Sequence, residues 1–184
     1  MQRVGSNRRV INGIIFVLLT LLFIAVDQFT KFYFKMLSEE GNLGVKTVIN
    51  DFFYLTYLEN RGAAYGFLSG KSWAQQFFKG LTVVALILFI IVFIYSLKKG
   101  YNFLSVGISM VIGGTVGNFI DRIMFSAVSD FLNIRVFGKD IFGVFNLADV
   151  FLCVGVAMFI IHCLFLDKNA LFRKNEDSKD TSKK

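Results

Sequence analysis

The residues in this chain with chemical capacity are few, and most are acids and amides set among apolar neighbours. Asp27, Asn118, Asp121, Asn146 and Asp149 stand inside or at the edge of apolar runs, and Asp130 lies between two such runs. An ionisable side chain at mid-bilayer costs at least about 2.5 kcal/mol on insertion scales, so each of these positions points to a function. Their spacing groups them. Asn118, Asp121 and Arg122 fall at i, i+3 and i+4, Asn146 and Asp149 at i and i+3, and Asp27 and Lys31 at i and i+4, as neighbours on helix faces do. Buried amides and an Arg can hold carboxylates by hydrogen bonds. Two carboxyl groups a few ångströms apart cannot easily both ionise, so they share a proton near neutral pH. The ionised member then takes a proton from a water, while the protonated member donates to a scissile carbonyl. Such chemistry needs no cofactor.

Other chemistries are excluded by what the sequence lacks. The one histidine, His162, lies roughly 20 Å along a helix from Asp149, which rules out a multi-His zinc site, and there is no H-E-x-x-H. No metal is expected. Cys153 and His162 would be separated by roughly 13 Å on one helix, too far for a nucleophile and its base. Neither G-x-S-x-G nor a Walker A motif occurs. A carboxylate pair remains, drawn either from Asp121 and Asp149, which both lie in apolar runs, or from Asp130 and Asp149. Arg122 is expected to pin Asp121 ionised, which makes Asp121 read as scaffold.

The elements that must position these groups follow from composition. The chain is 55% hydrophobic, with a mean hydropathy of +0.60, 23 Phe and no Pro. Its solvent is a bilayer. Runs near 11–32, 73–97, 103–124 and 144–166 are long enough to cross one. They predict a single all-α, four-span membrane domain over 1–167, followed by a charged, disordered tail at 168–184. The first run has a basic flank but no cleavage pattern, and reads as a retained span. The net charge of +7 is concentrated at 1–10, 98–102 and 167–184, next to the spans. This is the positive-inside pattern of cytoplasmic loops; it puts both termini in the cytoplasm and argues against a nucleic-acid partner.

On that topology Asp27 and Asp121 lie roughly 24 and 27 Å along their helices, near the outer face. Asn146 and Asp149 open the inward fourth span at the same level, and Asp130 sits in the outer segment between spans. Gly113 and Gly117 form a G-x-x-x-G that lets a neighbouring helix approach. Residues 48–57 are β-branched and aromatic, predicting a small extracytoplasmic β platform. Residues 125–143 are expected to form a loop over the site, hinged at Gly138 and Gly143. Cys153 and Cys163, ten residues apart on one helix, cannot form a disulfide. His162 reads as a snorkelling residue at the inner face.

Five blocks resemble lipoprotein signal peptidase, also called signal peptidase II: D-Q-F-T-K (27–31), N-R-G-A-A-Y-G (60–66), G-G-T-V-G-N-F-I-D-R (113–122), V-S-D-F (128–131) and F-N-L-A-D (145–149). They occur in the family's order and approximate spacing. One departure is Tyr65, where the family more usually carries Phe or Trp. The resemblance implies a four-helix peptidase of the bacterial cytoplasmic (inner) membrane with its site near the outer leaflet. Its expected partners are diacylated prolipoproteins and membrane lipid, and it is expected to act as a monomer. It implies cleavage just before the lipidated cysteine by a dyad corresponding to Asp130 and Asp149. Asn60, Asn118, Arg122 and Asn146 would bind substrate or orient the dyad. Asp27, Lys31 and Asp121, with Gly113 and Gly117, would be structural support.

Overall fold

The computed structural model describes residues 2–62, 71, 73–137 and 139–167. Tyr65 and Gly66 of the N-R-G-A-A-Y-G block, Gly138 and the tail at 168–184 lie outside them. In chain order the elements are α1 (Gln2–Glu39), β1 (Lys46–Ile49), β2 (Phe53–Asn60), α2 (Ala74–Lys99), α3 (Asn102–Phe125), β3 (Val128–Val136), β4 (Lys139–Phe145) and α4 (Leu147–Ile161). A π-helical turn, His162–Leu166, prolongs α4. Four helical stretches have the length and apolarity to cross a membrane: Arg9–Glu39, Ala74–Lys99, Asn102–Phe125 and Leu147–Leu166.

Helix α3 is the hub. It packs against α1, α2 and α4, whereas α2 and α4 flank it and scarcely touch each other. Lipid tails are as apolar as leucine, so helices in a bilayer associate through close packing and polar contacts rather than through hydrophobic burial. The sequence of α3 supplies both. Gly113 faces α1, where an added Cβ would stand 2.7 Å from the Phe23 Cβ, and Gly117 faces the Asp27 carboxylate. On the opposite side Gly114 lies against the Ala148 carbonyl, and Gly107 and Gly155 bring the backbones of α3 and α4 together. Only the first pair was expected from the G-x-x-x-G spacing; Gly107 and Gly114 make a second close-approach face. Deeper in the membrane, Ser96 and Ser105 share a 2.8 Å hydrogen bond, and the Ser109 hydroxyl reaches the Phe16 carbonyl at 3.2 Å. Phe16, Phe93, Leu104 and Ile108 close the core around them.

Outside the spans, all four strands form one antiparallel sheet in the order β1-β2-β3-β4. The expected loop at 125–143 is instead a pair of these strands, because V-S-D-F-L-N-I-R-V alternates with the period of a strand and pairs with the platform. Asn60 lies opposite Val128, and Leu58 opposite Asp130. Gly143, with φ +69°, falls between Asp140 and Val144, the β4 partners on either side of the register shift, and accommodates a bulge in the strand. Alternation sends Ser129, Phe131 and Asn133 to one face, all buried. There Phe131 stacks on Phe34 at 4.3 Å. This contact explains why α1 runs past the expected end near residue 32: its last turns support the sheet. The opposite face presents Asp130.

Two further expectations are revised. The fourth span starts at Leu147 rather than Val144, because Val144 and Phe145 belong to β4 and Asn146 caps the helix. His162 does not snorkel. It is buried, 4.6 Å from the Tyr101 ring and 3.9 Å from Asp167, because the end of α4 packs beside the start of α3. Cys153 and Cys163 are free thiols.

The close-approach glycines give a direct test. Gly114→Leu should lower the stability of the detergent-purified protein by about 1–3 kcal/mol or more through overpacking. Gly80→Ala, on α2 with open space around it, should leave stability unchanged or raise it by up to about 1 kcal/mol. Thermal unfolding of the two variants side by side reads the contrast.

Candidate active site

The site is built from three layers of hydrogen bonds on α1, α3, β3 and the start of α4. The innermost is centred on Lys31. Its ammonium lies 2.8 Å from Asp27 Oδ2 and 3.5 Å from Asp121 Oδ2, and donates to Asn118 Oδ1 at 2.8 Å. Asp27 is fully buried, and its Oδ1 accepts the Ala148 N–H at 3.0 Å, which ties α1 to the first turn of α4. Asp121 accepts from Gln28 Nε2 at 3.1 Å and from the Ser129 N–H at 2.9 Å. Asp27 and Lys31 therefore form a buried ion pair.

The middle layer is amide. Asn118 donates through Nδ2 to Asp149 Oδ1 at 2.9 Å. Asn146, fully buried, caps α4: its Oδ1 accepts the Asp149 N–H at 3.1 Å, and Asp149 Oδ2 accepts the Asn146 N–H at 3.1 Å. The reciprocal capping box fixes the Asp149 rotamer at a helix N-terminus, where a carboxylate is favoured. Asn146 Nδ2 also donates to Asp130 Oδ1 at 2.7 Å and to Asn118 Oδ1 at 3.1 Å. One asparagine thus holds both acids.

The outer layer is Asp130 itself, buried on β3, whose Oδ2 accepts from Asn60 Nδ2 at 3.0 Å. The Asn60 Oδ1 in turn accepts the Gly62 N–H at 3.0 Å, a local turn that also orients the amide toward Asp130. Burial first, and then the charge of Asp149, push the Asp130 carboxyl up to about 7 against the opposing hydrogen bonds from Asn60 and Asn146. Asp130 and Asp149 line one cavity of about 660 Å³, together with Asn60, Asn118 and Arg122. Of the two pairings open in the sequence, the structure brings Asp130 and Asp149 to this cavity and gives Asp121 a place in the Lys31 layer.

One expectation about Arg122 fails. It does not pin Asp121, whose partners are Lys31, Gln28 and Ser129. Residues i and i+1 of a helix point about 100° apart, so Arg122 turns away from Asp121. Its Nη1 donates to the Asn118 carbonyl at 3.3 Å, and its guanidinium lies 5.5 Å from the Phe78 ring centroid. Its Nε is buried with no acceptor among the described residues. Gln28 was not assigned a role from sequence, yet it bonds Asp27, Asp121 and the Gly117 carbonyl. Its place in the D-Q-F-T-K block was the one available signal.

The family described as signal peptidase (SPase) II matches residues 19–165, a stretch that contains every site residue above. The chain belongs to the signal peptidase II family. It is therefore a peptidase, and its four membrane-capable helices make it a multi-pass membrane protein. Two solved structures agree. A bacterial membrane enzyme determined in meso at 2.3 Å resolution shares 36% identity over 79% of this chain and 85% of its own, with a TM-score of 0.65. A bacterial membrane enzyme determined by the same method at 1.9 Å shares 35% identity over 84% of this chain and 94% of its own, with a TM-score of 0.65.

The raised Asp130 carboxyl has a consequence for stability. Between the ordinary value of 3.8 and about 7 the folded protein keeps this proton and the unfolded chain does not. Its stabilising contribution is complete below about 4, declines as pH rises and levels off above about 7. Asp130→Asn removes that decline. The difference in unfolding midpoint, variant minus wild type, should become more positive from pH 4 to pH 7 and flatten beyond; a difference independent of pH would contradict the assignment.

Proposed function

We propose that this signal peptidase II removes the signal peptide from diacylglyceryl-modified prolipoproteins by a two-aspartate, activated-water mechanism, cutting just before the lipidated cysteine. The observation that carries this reading is the Asn146 bridge, which holds Asp130 and Asp149 at one cavity while Asp130 retains a proton near neutral pH. Asp149, with two N–H donors on its oxygens, acts as the base that takes a proton from water. Asp130 then gives its proton to the scissile carbonyl oxygen as the tetrahedral intermediate forms, and the roles reverse when the leaving amine is protonated. Arg122, whose buried Nε has no acceptor among the described residues, donates to a substrate backbone carbonyl, and Asn60 keeps the Asp130 carboxyl facing the cavity. No cofactor takes part in this scheme.

Membrane position supplies the rest. The dyad stands at the outer ends of α3 and α4, between the spans and the sheet. A peptide bond reaches it when the substrate's apolar segment lies in the bilayer, and acyl chains add about 0.8 kcal/mol per buried CH₂ to hold it there. This binding energy, remote from the reacting bond, is available to orient it. We place the protein in the bacterial cytoplasmic membrane as a monomer, with both termini in the cytoplasm and the site near the outer leaflet, as the basic flanks favour.

Two arms of one assay test the proposal in detergent micelles. Asp130→Asn and Asp149→Asn should each fold and each reduce turnover of a diacylated lipobox peptide by far more than tenfold. A variant that kept over about a tenth of wild-type turnover, a loss below about 1.4 kcal/mol, would remove that residue from catalysis. The same peptide without its diacylglyceryl group should show a severely reduced kcat/KM with the wild-type enzyme; equal values would leave a general intramembrane aspartic peptidase.

A further inference from the structure

An asparagine amide is nearly symmetric in shape, and its two ends are opposite in chemistry. Which end of Asn118 faces Asp149 therefore decides whether that carboxylate meets a donor or another acceptor. Asn118 Oδ1 has two donors on it, Lys31 Nζ at 2.8 Å and Asn146 Nδ2 at 3.1 Å, and its Nδ2 is left to Asp149 Oδ1 at 2.9 Å. The two donors are not equivalent. Asn146 Nδ2 has alternative acceptors in Asp130 Oδ1 at 2.7 Å and the Ser129 carbonyl at 3.4 Å, so it does not depend on Asn118. The ammonium has no acceptor capacity and cannot tolerate an amide nitrogen in place of Oδ1. It is itself held fast between Asp27 Oδ2 and Asp121 Oδ2.

We infer that Lys31 is a positioning residue for the reaction: its ammonium fixes the orientation of the Asn118 amide and thereby presents a hydrogen-bond donor to Asp149. The inference rests on the dyad reading above and extends it to α1, a helix that contributes no acid to the cavity. Without the ammonium, the amide is free to turn its oxygen toward Asp149, where two acceptors at 2.9 Å repel and the carboxylate is displaced. The water that Asp149 activates then loses its alignment, while the cavity that receives the substrate keeps its other walls. The loss should fall on kcat and spare KM.

Lys31→Met alone strands two buried carboxylates, so the decisive variant is Asp27→Asn/Lys31→Met, which removes one charge of each sign and keeps an acceptor for the Ala148 N–H. On a diacylated lipobox peptide, this double variant, in which Asp121 keeps Gln28 and the Ser129 N–H, should be less stable than wild type but folded, with KM within about twofold and kcat reduced at least tenfold. A folded double variant with kcat within about twofold of wild type overturns the inference, because Lys31 would then only balance Asp27. If the double variant does not fold, Asp27→Asn decides: it breaks the pair and leaves the ammonium on Asn118, so kcat within about threefold of wild type supports positioning, and a tenfold loss overturns it. Asp130→Asn and Asp149→Asn run in parallel separate this inference from the reading beneath it. Turnover surviving in those two overturns both; turnover lost there but kept without Lys31 overturns this inference alone.

Discussion

Four carboxylates, Asp27, Asp121, Asp130 and Asp149, sit at one level of a protein whose surroundings are largely hydrocarbon, and the fold depends on matching each to hydrogen donors. Stripping an ion of water costs several kcal/mol even after relaxation, and attraction to a partner recovers this only when the remaining lone pairs are also satisfied. Here the donors are one ammonium, the amides of Gln28, Asn60, Asn118 and Asn146, and the backbone N–H groups of Ser129, Asn146 and Ala148. Lys31 is the one buried Lys or Arg among the described residues, and it lies against Asp27 and Asp121. Among the described residues the hydrogen bonds to Asp130 and Asp149 come from amides and backbone N–H groups, and burial first, then the charge of Asp149, raises the Asp130 carboxyl. The position of that one ammonium sets Asp27 and Asp121 apart, as a charged cluster with Lys31, from Asp130 and Asp149 at the cavity.

Hydrogen bonds near 3 Å between three helices demand that their backbones come close, and this constraint reaches far down the bundle. Gly117 is where the Asp27 carboxylate passes α3, and Gly114 is where the Ala148 carbonyl does. A side chain at either would separate the helices by more than the polar network can span. The sheet answers a second demand. Asp130 lies outside the spans and must be brought over the cavity from above, and β3 does this because Phe131 stacks on Phe34 of α1 while Asp130 faces the other way. The extension of α1 beyond the membrane and the buried face of β3 are parts of one support.

How much of this was legible in the sequence varies with the range of the interaction. The four spans follow from hydropathy, which is a local property, and the acids and amides at helical spacing follow from the cost of burying them. The capping role of Asn146 was implicit in its i, i+3 relation to Asp149. What the sequence hid was lateral. The strands at 128–145 read as a loop because the platform strand that β3 pairs with lies some seventy residues earlier in the chain, with two whole spans between. Arg122 was assigned to Asp121 from a shared helix face, although adjacent residues diverge around a helix and that carboxylate is met by Lys31 and Gln28 from another span and by the Ser129 N–H. The same limitation hid Gly107 and Gly114, which matter only once α4 is known to lie against them.

In the function proposed above, Asp130 and Asp149 share one proton near neutral pH, and Asp130 carries it. Infrared difference spectroscopy of the detergent-purified protein, labelled with ¹³C at the aspartate carboxyls, tests this without substrate. A protonated-carboxyl band is expected at pH 6, is lost with a midpoint of about 7, and is absent from Asp130→Asn. A band that persists unchanged in Asp130→Asn, or no protonated carboxyl at pH 6, would contradict it.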